Sequence, residues 1–270
     1  MSNQILKGKR GIIFGALDEK SIAWITALKC HEAGAQIVLS NAPVAMRMGE
    51  INKLAEKISA PVIACDVSNG QDVENLIQQT MAHFGGSFDF ILHSIGMSLN
   101  VRKGKHYTEI DYTHNLKTLE ISSMSLHRVL ACCMKHDALN EWGSVVALSY
   151  IAAQRIFPDY NEMADAKALL ESVARSFGYH YGTKKKVRIN TISQSPTRTT
   201  AGSGVKGFDG FISYAESMSP LGNATAEDCA NYIVAMFSDY TRMVTMQNLF
   251  HDGGFSFTGV TNKVIEQMEK

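Results

Sequence analysis

The sequence predicts a single-domain α/β protein spanning residues 1–270, with a Rossmann-like, doubly wound parallel sheet of about seven strands and helices on both faces. Three observations support this prediction. Short apolar runs alternate with longer segments of helical periodicity along the whole chain. These runs are continuous rather than alternating in polarity, which is typical of strands that are buried on both faces. A sheet of this size leaves no room for a second core in a chain of 270 residues.

Seven apolar runs are predicted to be strands, and six longer segments are predicted to be helices. The strands are Gly11–Phe14, Gln36–Leu39, Pro61–Ala64, Phe88–His93, Val145–Ser149, Val187–Ile192 and Asn248–His251. The helices are Ile22–Ala33, Ile51–Lys57, Val73–Phe84, Leu116–Met134, Lys167–Tyr181 and Ala226–Phe237. Because a helix that joins two parallel strands makes a right-handed crossover, this alternation predicts a doubly wound sheet.

Composition and charge exclude several classes of protein. Lysine plus arginine equals aspartate plus glutamate at 26 each, so no overall field favours nucleic acid or an anionic membrane. No apolar run is long enough to span a bilayer. The 5 cysteines lack CxxC spacing and the 9 histidines lack ligand spacing, which indicates neither a metal site nor a disulfide framework. We therefore expect a cytoplasmic protein that binds no metal, nucleic acid or membrane.

The turn after the first predicted strand has features of a phosphate site. Gly15 follows the strand, and Ser21 and Ile22 begin the next helix. A glycine turn before a helix lets backbone amides meet a phosphate at the positive end of the helix dipole. Ser21 suits either a helix N-cap or a hydroxyl donor to a pyrophosphate. Only one glycine of the usual GxGxxG pattern is present, so an ordinary strand–helix turn would look the same.

Two later strand ends also carry residues suited to a dinucleotide. Asp66 and Val67 follow the third strand, where Asp66 could accept a hydrogen bond from an adenine amino group. Ser94, Ile95 and Gly96 follow the fourth strand, and Gly96 lets the backbone come close to a ribose. Because the carboxyl ends of parallel strands converge on one crevice, the three strand ends together predict a dinucleotide site.

The end of the second strand bears on the choice of cofactor. An NAD site usually places an acidic residue here, and an NADP site a basic one. The chain reads Ser40-Asn41-Ala42 and has neither. With no cation at this point to pair a 2′-phosphate, we expect NADH rather than NADPH, with Ala42 in the cofactor site. Arg47 in the following helix could still reach such a phosphate.

The segment after the fifth predicted strand carries the catalytic pattern. Tyr160 and Lys167 form a Tyr-x6-Lys pair, Tyr150 comes ten residues before it, and the strand leads into LSYIAAQR. In these features the chain resembles the short-chain dehydrogenases and, within them, the bacterial enoyl-acyl-carrier-protein reductases. The typical carbonyl-reducing members carry Tyr-x3-Lys, whereas this chain has Ala164 at that position. The resemblance covers nearly the whole chain, including FGALDEKSIAW, HSIGM, NTISQSPTRT and FHDGGFS.

The longer spacing of the pair has a chemical meaning. On one helix, seven residues would separate Tyr160 and Lys167 by about 10.5 Å along the axis, against about 6 Å for four residues. Both spacings keep the two side chains near one face. The longer one sets the tyrosine farther from the nicotinamide ribose, which suits hydride transfer to C3 of a conjugated acyl group. An N-cap at Asn161 would leave Tyr160 outside the helix and make the axial distance only approximate.

The resemblance implies catalytic roles for three residues. Tyr160 would donate a hydrogen bond or a proton to the enolate oxygen, where charge develops in the transition state. Lys167 would hold the ribose hydroxyls, and its positive charge would favour the same anionic oxygen. Tyr150 would shape the acyl site or polarise that oxygen. The nicotinamide cofactor would supply the hydride.

The resemblance also assigns a substrate lid at about residues 194–210, within the long irregular segment Ser193–Gly210. Its first part would hold the nicotinamide carboxamide, and Arg198–Phe208 would cover the acyl chain. The predicted cofactor contacts here are Pro196, Thr197, Arg198, Thr199, Thr200 and Ala201. The predicted substrate contacts are Met97, Ser98, Tyr150, Tyr160, Met163, Val205 and Phe208.

These features favour a trans-2-enoyl-thioester reductase that uses NADH and receives its substrate from acyl carrier protein. A 3-oxoacyl (carbonyl) reductase and a non-catalytic dinucleotide-sensing protein of the same fold are the alternatives. Asp209 and Gly210 stand where some relatives are basic, so the position of a docking surface for the acidic carrier stays open. By analogy with the family we expect a homotetramer, with Leu116–Met134 and Lys167–Tyr181 at its interfaces.

Overall fold

The computed structural model describes residues 4–48, 50–200, 202 and 207–269. The described strands form one sheet and pair in parallel throughout. They are β1 Arg10–Phe14, β2 Gln36–Asn41, β3 Val62–Ala64, β4 Phe88–His93, β5 Leu139–Ser149, β6 Arg188–Gln194 and β7 Asn248–His251. The order across the sheet is β3-β2-β1-β4-β5-β6-β7, so the predicted doubly wound sheet is confirmed. The order reverses between β1 and β4, which opens a crevice at the carboxyl ends of the strands.

The described helices connect these strands and continue after the last one. They are α1 Ile22–Glu32, α2 Pro43–Met48, α3 Ile51–Ile58, α4 Gly70–Phe84, α5 Leu99–Arg102, α6 Tyr112–Leu119, α7 Ser125–Lys135, α8 Glu162–Lys185, α9 Phe208–Met218, α10 Ala226–Phe237 and α11 Asn262–Met268. The part of the chain that the structure describes contains no helix that is both long and apolar enough to cross a bilayer.

Two apolar layers cover the two faces of the sheet, as predicted. Ile13 and Phe90 belong to the layer that packs against α1, α3 and α10, where Phe90 stacks on Phe237 at 4.5 Å between ring centroids. Ile12 and Ile91, one residue away on the same strands, belong to the layer that packs against α4, α7 and α8. Because neighbouring residues of a strand point to opposite faces, strands covered on both sides must be apolar throughout.

Several predicted boundaries were wrong. The predicted helix Leu116–Met134 is two helices, α6 and α7, joined by a π-helical turn at Glu120–Met124. Helix α8 begins at Glu162 rather than Lys167, and it ends at Lys185. The irregular segment is shorter than predicted, since β6 pairs with β7 as far as Gln194 and α9 begins at Phe208. Helices α2, α5, α9 and α11 were not predicted, because short or locally polar helices carry little periodicity.

Candidate active site

A cavity of about 420 Å³ lies at the carboxyl edge of the sheet. This volume falls in the usual range for a small-molecule site. The predicted site residues that line it are Gly15, Ser21, Ile22, Ser94, Ile95, Gly96, Met97, Ser98, Tyr150, Tyr160, Met163, Lys167, Pro196, Thr197, Thr199, Thr200 and Phe208. The structure thus brings most of the predicted residues into one space, although they come from six separate segments of the chain.

The turn between β1 and α1 forms one wall of this cavity. Gly15 has φ +88°, and a Cβ atom there would lie 2.0 Å from the carbonyl oxygen of Ser94. Only glycine permits both this conformation and this close approach of two strand ends. Ser21 is confirmed as the N-cap of α1, since its Oγ accepts from the Trp24 amide at 3.2 Å. The same hydroxyl donates to the Asp18 carbonyl at 2.9 Å.

The end of β2 presents an amide rather than a charge to the cavity. Asn41 lines the wall, and its Nδ2 donates to the Ala16 carbonyl at 3.0 Å while its Oδ1 accepts from the Ala42 amide at 2.9 Å. Both ends of the Asn41 side chain are therefore held by backbone. Ala42 is next to this wall but not among the lining residues, and Arg47 is exposed on α2, also outside the lining.

Asp66 and Val67 lie outside the cavity wall. Asp66 is exposed, and its Oδ1 accepts from both the amide and the hydroxyl of Ser68, at 2.9 and 2.7 Å. The Ser68 hydroxyl is the main cause that lowers the pKa of Asp66. Val67 is buried in the layer beneath α4 and α7. Contact of Asp66 with an adenine stays a prediction.

Lys167 is a buried cation in the cavity wall. Its side chain is only 6% exposed, and its Nζ donates to the Leu148 carbonyl at 2.8 Å. Burial lowers its pKa to about 8, an effect opposed by the nearby Glu171 carboxylate. A Cβ atom at Gly96 would lie 3.8 Å from this Nζ, so the glycine leaves open space beside the ammonium group. That space is where hydroxyl groups of a ligand could accept hydrogen bonds from Lys167.

The two predicted catalytic tyrosines face each other. The rings of Tyr150 and Tyr160 meet edge to face with centroids 5.1 Å apart. Among the described residues, no hydrogen bond joins either hydroxyl to protein. Burial raises the pKa of both phenols, so both stay protonated near neutral pH. Because neither protonated hydroxyl has a hydrogen-bond partner among the described residues, both are available as donors to a ligand.

Asn161 is the N-cap of α8, which is the case in which the axial distance between Tyr160 and Lys167 was expected to be only approximate. Tyr160 precedes α8, so the axial distance of a continuous helix does not apply. Between them, Asn161 has φ +44° and ψ −136°, and its Nδ2 donates to the Lys105 carbonyl. A non-glycine residue in this region of backbone space is strained and needs surrounding contacts to hold it. The position of Tyr160 is thus set by tertiary contacts and not by helix periodicity.

Glu162, the first residue of α8, is a buried carboxylate that the sequence analysis missed. It is fully buried, and its Oε1 accepts from the Ser98 hydroxyl at 2.5 Å and the Thr118 hydroxyl at 3.2 Å. Its Oε2 has no partner among the described residues. The same Ser98 hydroxyl accepts from the Val101 amide at 3.0 Å and caps α5. Glu162 therefore ties the start of α8 to α5 and α6 behind the cavity.

An aromatic wall completes the acyl side of the cavity. Phe157 and Phe211 line it, with ring centroids 5.5 Å apart, and Phe157 also meets Tyr150 at 5.2 Å. Other lining residues that the sequence analysis did not assign to the site are Leu17, Asp18, Asn41, Ala45, Val101, Arg102, Leu148, Ser149, Gln194, Ser195 and Gly202. As single residues they carry no local pattern, and only the fold brings them together.

Only part of the predicted lid belongs to the described residues. Thr200 Oγ1 donates to Asp18 Oδ2 at 2.5 Å, which joins the segment to the turn after β1. Arg198 lies in a second cavity, which it shares with Asp209, and these two side chains form an ion pair. Ala201 and Val205, predicted to contact cofactor and substrate, lie outside the described residues.

Comparisons with known proteins identify the family. The family model described as enoyl-(acyl carrier protein) reductase matches residues 15–256. The NADH-type enoyl-[acyl-carrier-protein] reductase FabI of Rickettsia bellii is 31% identical over 98% of this chain and 100% of its own length. The crystal structure of the FabI–NADH complex from Alistipes finegoldii is similar with a TM-score of 0.95 and 60% identity, covering 96% of this chain and 92% of that one.

A third relative is similar over a comparable length. The NADH-type enoyl-[acyl-carrier-protein] reductase of Aquifex aeolicus has a TM-score of 0.87 and 31% identity, covering 95% of this chain and 100% of that one. Likeness over nearly the full length of each protein applies to the whole domain and not to the dinucleotide fold alone. The chain belongs to the enoyl-[acyl-carrier-protein] reductase family.

Proposed function

We propose that this protein is an NADH-dependent enoyl-[acyl-carrier-protein] reductase. It reduces the C2=C3 double bond of trans-2-enoyl thioesters during fatty-acid elongation. One observation carries the proposal within the family: the protonated Tyr150 and Tyr160 hydroxyls and the buried Lys167 ammonium line the same cavity. That cavity also includes the glycine turn suited to a dinucleotide, so hydride donor and acceptor can meet there.

The residues present fit a nicotinamide dinucleotide. Gly15 and Gly96 keep the wall free of side chains at two strand ends, and the α1 N-terminus lies beside Ser21 in the same wall. Lys167 is placed to donate to ribose hydroxyls. The neutral end of β2 at Asn41 supports NADH, because the wall there offers no cation to a 2′-phosphate. When bound, the cofactor supplies the hydride.

Tyr160 acts on the thioester oxygen. As the double bond is reduced at C3, negative charge moves to this oxygen, and a protonated phenol stabilises it by donating a hydrogen bond or its proton. Lys167 adds a positive charge in the same low-dielectric wall, where it favours the anion more than it would in water. Tyr150, in ring contact with Tyr160, restricts where that phenol can point.

The aromatic wall restricts water and orients the acyl chain. Phe157 and Phe211 present apolar surface on the side of the cavity next to Tyr150. An extended, conjugated acyl group matches such a surface better than a polar substrate does. Met163 and Phe208 line the same cavity, which supports the prediction that both contact the substrate.

The carbonyl-reductase alternative receives less support from the geometry. A lysine four residues after Tyr160 is replaced by Ala164. Ser149 lines the cavity, but its hydroxyl donates to Glu171 at 2.7 Å and is therefore engaged with a buried carboxylate. The sensing alternative does not explain why three groups suited to proton and charge stabilisation share one wall.

The test is the loss of absorbance of reduced nicotinamide with a trans-2-enoyl thioester, with NADH and NADPH run separately. We expect turnover with NADH, and a fall in kcat of about 10²-fold or more in Tyr160→Phe, because one general acid contributes 10²–10⁴-fold. Turnover on a 3-oxoacyl thioester without turnover on the enoyl thioester would replace this proposal with the carbonyl reductase. Binding of NADH without turnover on either substrate would favour the sensing protein.

The remaining expectations on partner, assembly and location belong to the same proposal. We propose acyl carrier protein as the substrate carrier and a homotetramer as the assembly. Exposed apolar side chains on α6 and α8 support the latter, since Tyr112, Leu116 and Tyr179 are 77, 67 and 60% exposed. Light scattering would measure the mass directly, and a monomer would refute the tetramer. The five unpaired cysteines support a reducing, cytoplasmic location.

A further inference from the structure

A short basic segment lies at the mouth of the active-site cavity. Arg102, Lys103 and Lys105 are exposed at the end of α5 and in the turn that follows, and we name these three residues the α5 basic strip. The whole chain has a net charge of zero, so this is a local concentration of positive charge. None of the three side chains lies within ion-pair distance of a carboxylate among the described residues.

The strip is attached to the catalytic wall. Arg102 and its neighbour Val101 line the cavity itself. The Lys105 carbonyl accepts from Asn161 Nδ2, and Asn161 directly follows Tyr160. The three cations therefore have a defined position relative to the tyrosine, although their side chains reach into solvent. A partner that touches the strip would bring its own surface to the opening through which substrate enters.

Nearby carboxylates are already engaged with uncharged donors. Asp111 caps α6 by accepting from the Thr113 and His114 amides at 2.8 and 3.1 Å. Its pKa is lowered mainly by the His114 amide, with a smaller contribution from Lys103. Asp165 accepts from the Tyr107 hydroxyl at 3.2 Å. The strip thus keeps a positive charge that these residues only partly offset.

The opposite rim of the cavity is different. Of the described cations next to the lid, Arg198 is paired with Asp209, and Gly210 follows. Lys206 lies outside the described residues. The exposed Lys20 lines the same second cavity as Arg198 and forms no ion pair among the described residues. The described lid side therefore carries one unpaired cation, whereas the α5 side carries three.

We propose that the α5 basic strip is the docking surface for the acidic acyl carrier protein. This inference rests on the proposed function, in which a carrier must present its thioester arm at this mouth. An acidic carrier fits by charge, and cations on the rim of an interface mainly accelerate association and set its salt dependence. Because the strip lies along one side of the cavity entrance, a carrier that docks there directs its acyl arm past Arg102 towards Tyr160.

The test compares two substrates in a charge-reversed variant. Lys103→Glu/Lys105→Glu leaves Arg102 and all other lining residues unchanged. Its kcat/KM is measured with a trans-2-enoyl group on acyl carrier protein and on N-acetylcysteamine, which is uncharged and has no carrier surface. A matched control is Lys7→Glu/Lys57→Glu, which makes the same change of net charge at exposed positions before β1 and β3, on the amino edge of the sheet.

We expect kcat/KM to fall about tenfold or more with the carrier-bound substrate in Lys103→Glu/Lys105→Glu, and to change less than about twofold with the N-acetylcysteamine thioester. The fall in kcat/KM of this variant with the carrier-bound substrate should become smaller at about 1 M salt, where the Debye length is about 3 Å. The control pair should leave both values near those of the wild type. Direct binding of the unloaded carrier, followed by fluorescence anisotropy, should weaken in the same variant.

Other outcomes would overturn the proposal. An unchanged kcat/KM with the carrier-bound substrate would place docking elsewhere, and an equal fall with both substrates would show damage to the site instead of lost docking. An equal fall with the carrier in the control variant would show a general effect of net charge. Wild-type protein that reduces neither thioester would refute the proposed function, and the docking proposal with it.

Discussion

The charge of Lys167 should control how the enzyme responds to alkaline pH. Burial lowers the pKa of this ammonium group to about 8. Tyr150 and Tyr160 have pKa values raised by burial, so both phenols keep their protons while Lys167 titrates. A rise in pH therefore removes the charge of Lys167 alone among these three residues. This cation donates to the Leu148 carbonyl and faces the space beside Gly96.

The expected magnitude follows from that pKa. A lysine with a pKa of about 8 is about nine-tenths charged near pH 7 and about one-tenth charged near pH 9. If binding of the cofactor needs the cation, kcat/KM for NADH falls about tenfold over this interval. The value of kcat/KM reports groups of the free enzyme, which is the state that the structure describes.

The assay measures kcat/KM for NADH at saturating enoyl thioester from about pH 6.5 to about pH 9.5. Lys167→Arg is the matched variant, because its guanidinium keeps its charge throughout, so its profile should be flat even if its rate is lower. A flat profile in the wild type, or the same alkaline fall in Lys167→Arg, would refute the assignment.

Unfolding does not provide another explanation for the alkaline fall. The folded state holds Lys167 with a lowered pKa, so the unfolded chain binds the proton more tightly between about pH 8 and pH 10.5. The contribution of Lys167 to the free energy of unfolding therefore rises with pH through this window, by on the order of 3 kcal/mol in total. Activity and stability should move in opposite directions, which thermal unfolding at each pH can check.

Three further predictions concern the residues around the cavity. Gly15→Ala should weaken NADH binding at least tenfold by titration calorimetry, because a Cβ there would lie 2.0 Å from the Ser94 carbonyl oxygen at φ +88°; wild-type affinity would contradict this. Burial lowers the pKa of His93 to about 3, so its protonation in the unfolded chain should cost about 2 kcal/mol of stability between about pH 7 and pH 5. His93→Gln should remove that dependence in urea unfolding, and an unchanged slope with pH would refute the linkage. Glu162→Ala should lower the free energy of unfolding by about 3 kcal/mol, since it leaves a cavity and leaves the buried Ser98 hydroxyl without its acceptor, while Thr118 keeps its hydrogen bond to the His114 carbonyl. Glu162→Gln keeps an acceptor oxygen, so its loss of unfolding free energy should be less than half of that in Glu162→Ala. Equal losses in the two variants would contradict the role of these hydrogen bonds.

Some features of the site could be predicted residue by residue. The N-cap at Ser21 follows from a serine placed before an apolar helix, and the structure confirms it. The contribution of Gly15 follows from its place between a strand and a helix. Tyr160 and Lys167 were found by their spacing in a family pattern. In each instance the information lies within a few neighbouring residues, where local propensity and motif spacing operate.

Other features had no local signal. Glu162 belongs to no motif and lies outside the predicted helix Lys167–Tyr181, yet it is fully buried and accepts from Ser98 and Thr118. Phe157 and Phe211 are far apart in the chain, and their ring contact exists only once α9 lies over the cavity. The hydrogen bonds from Ser68 to the Asp66 carboxylate, and the position of Asp66 outside the cavity wall, also follow only from the folded structure, and its contact with adenine stays a prediction.

The sequence by itself determined the class of fold, the strand positions and the family, because continuous apolar runs, turn glycines and a motif of two residues are properties of short segments. Only the tertiary structure decided that Tyr160 lies outside α8, that Asn161 takes a strained conformation, and that the α5 basic strip reaches the cavity mouth. The physical reason is that burial, pKa and charge at a site depend on contacts between distant segments. Those contacts form only when the sheet brings the carboxyl ends of its strands together.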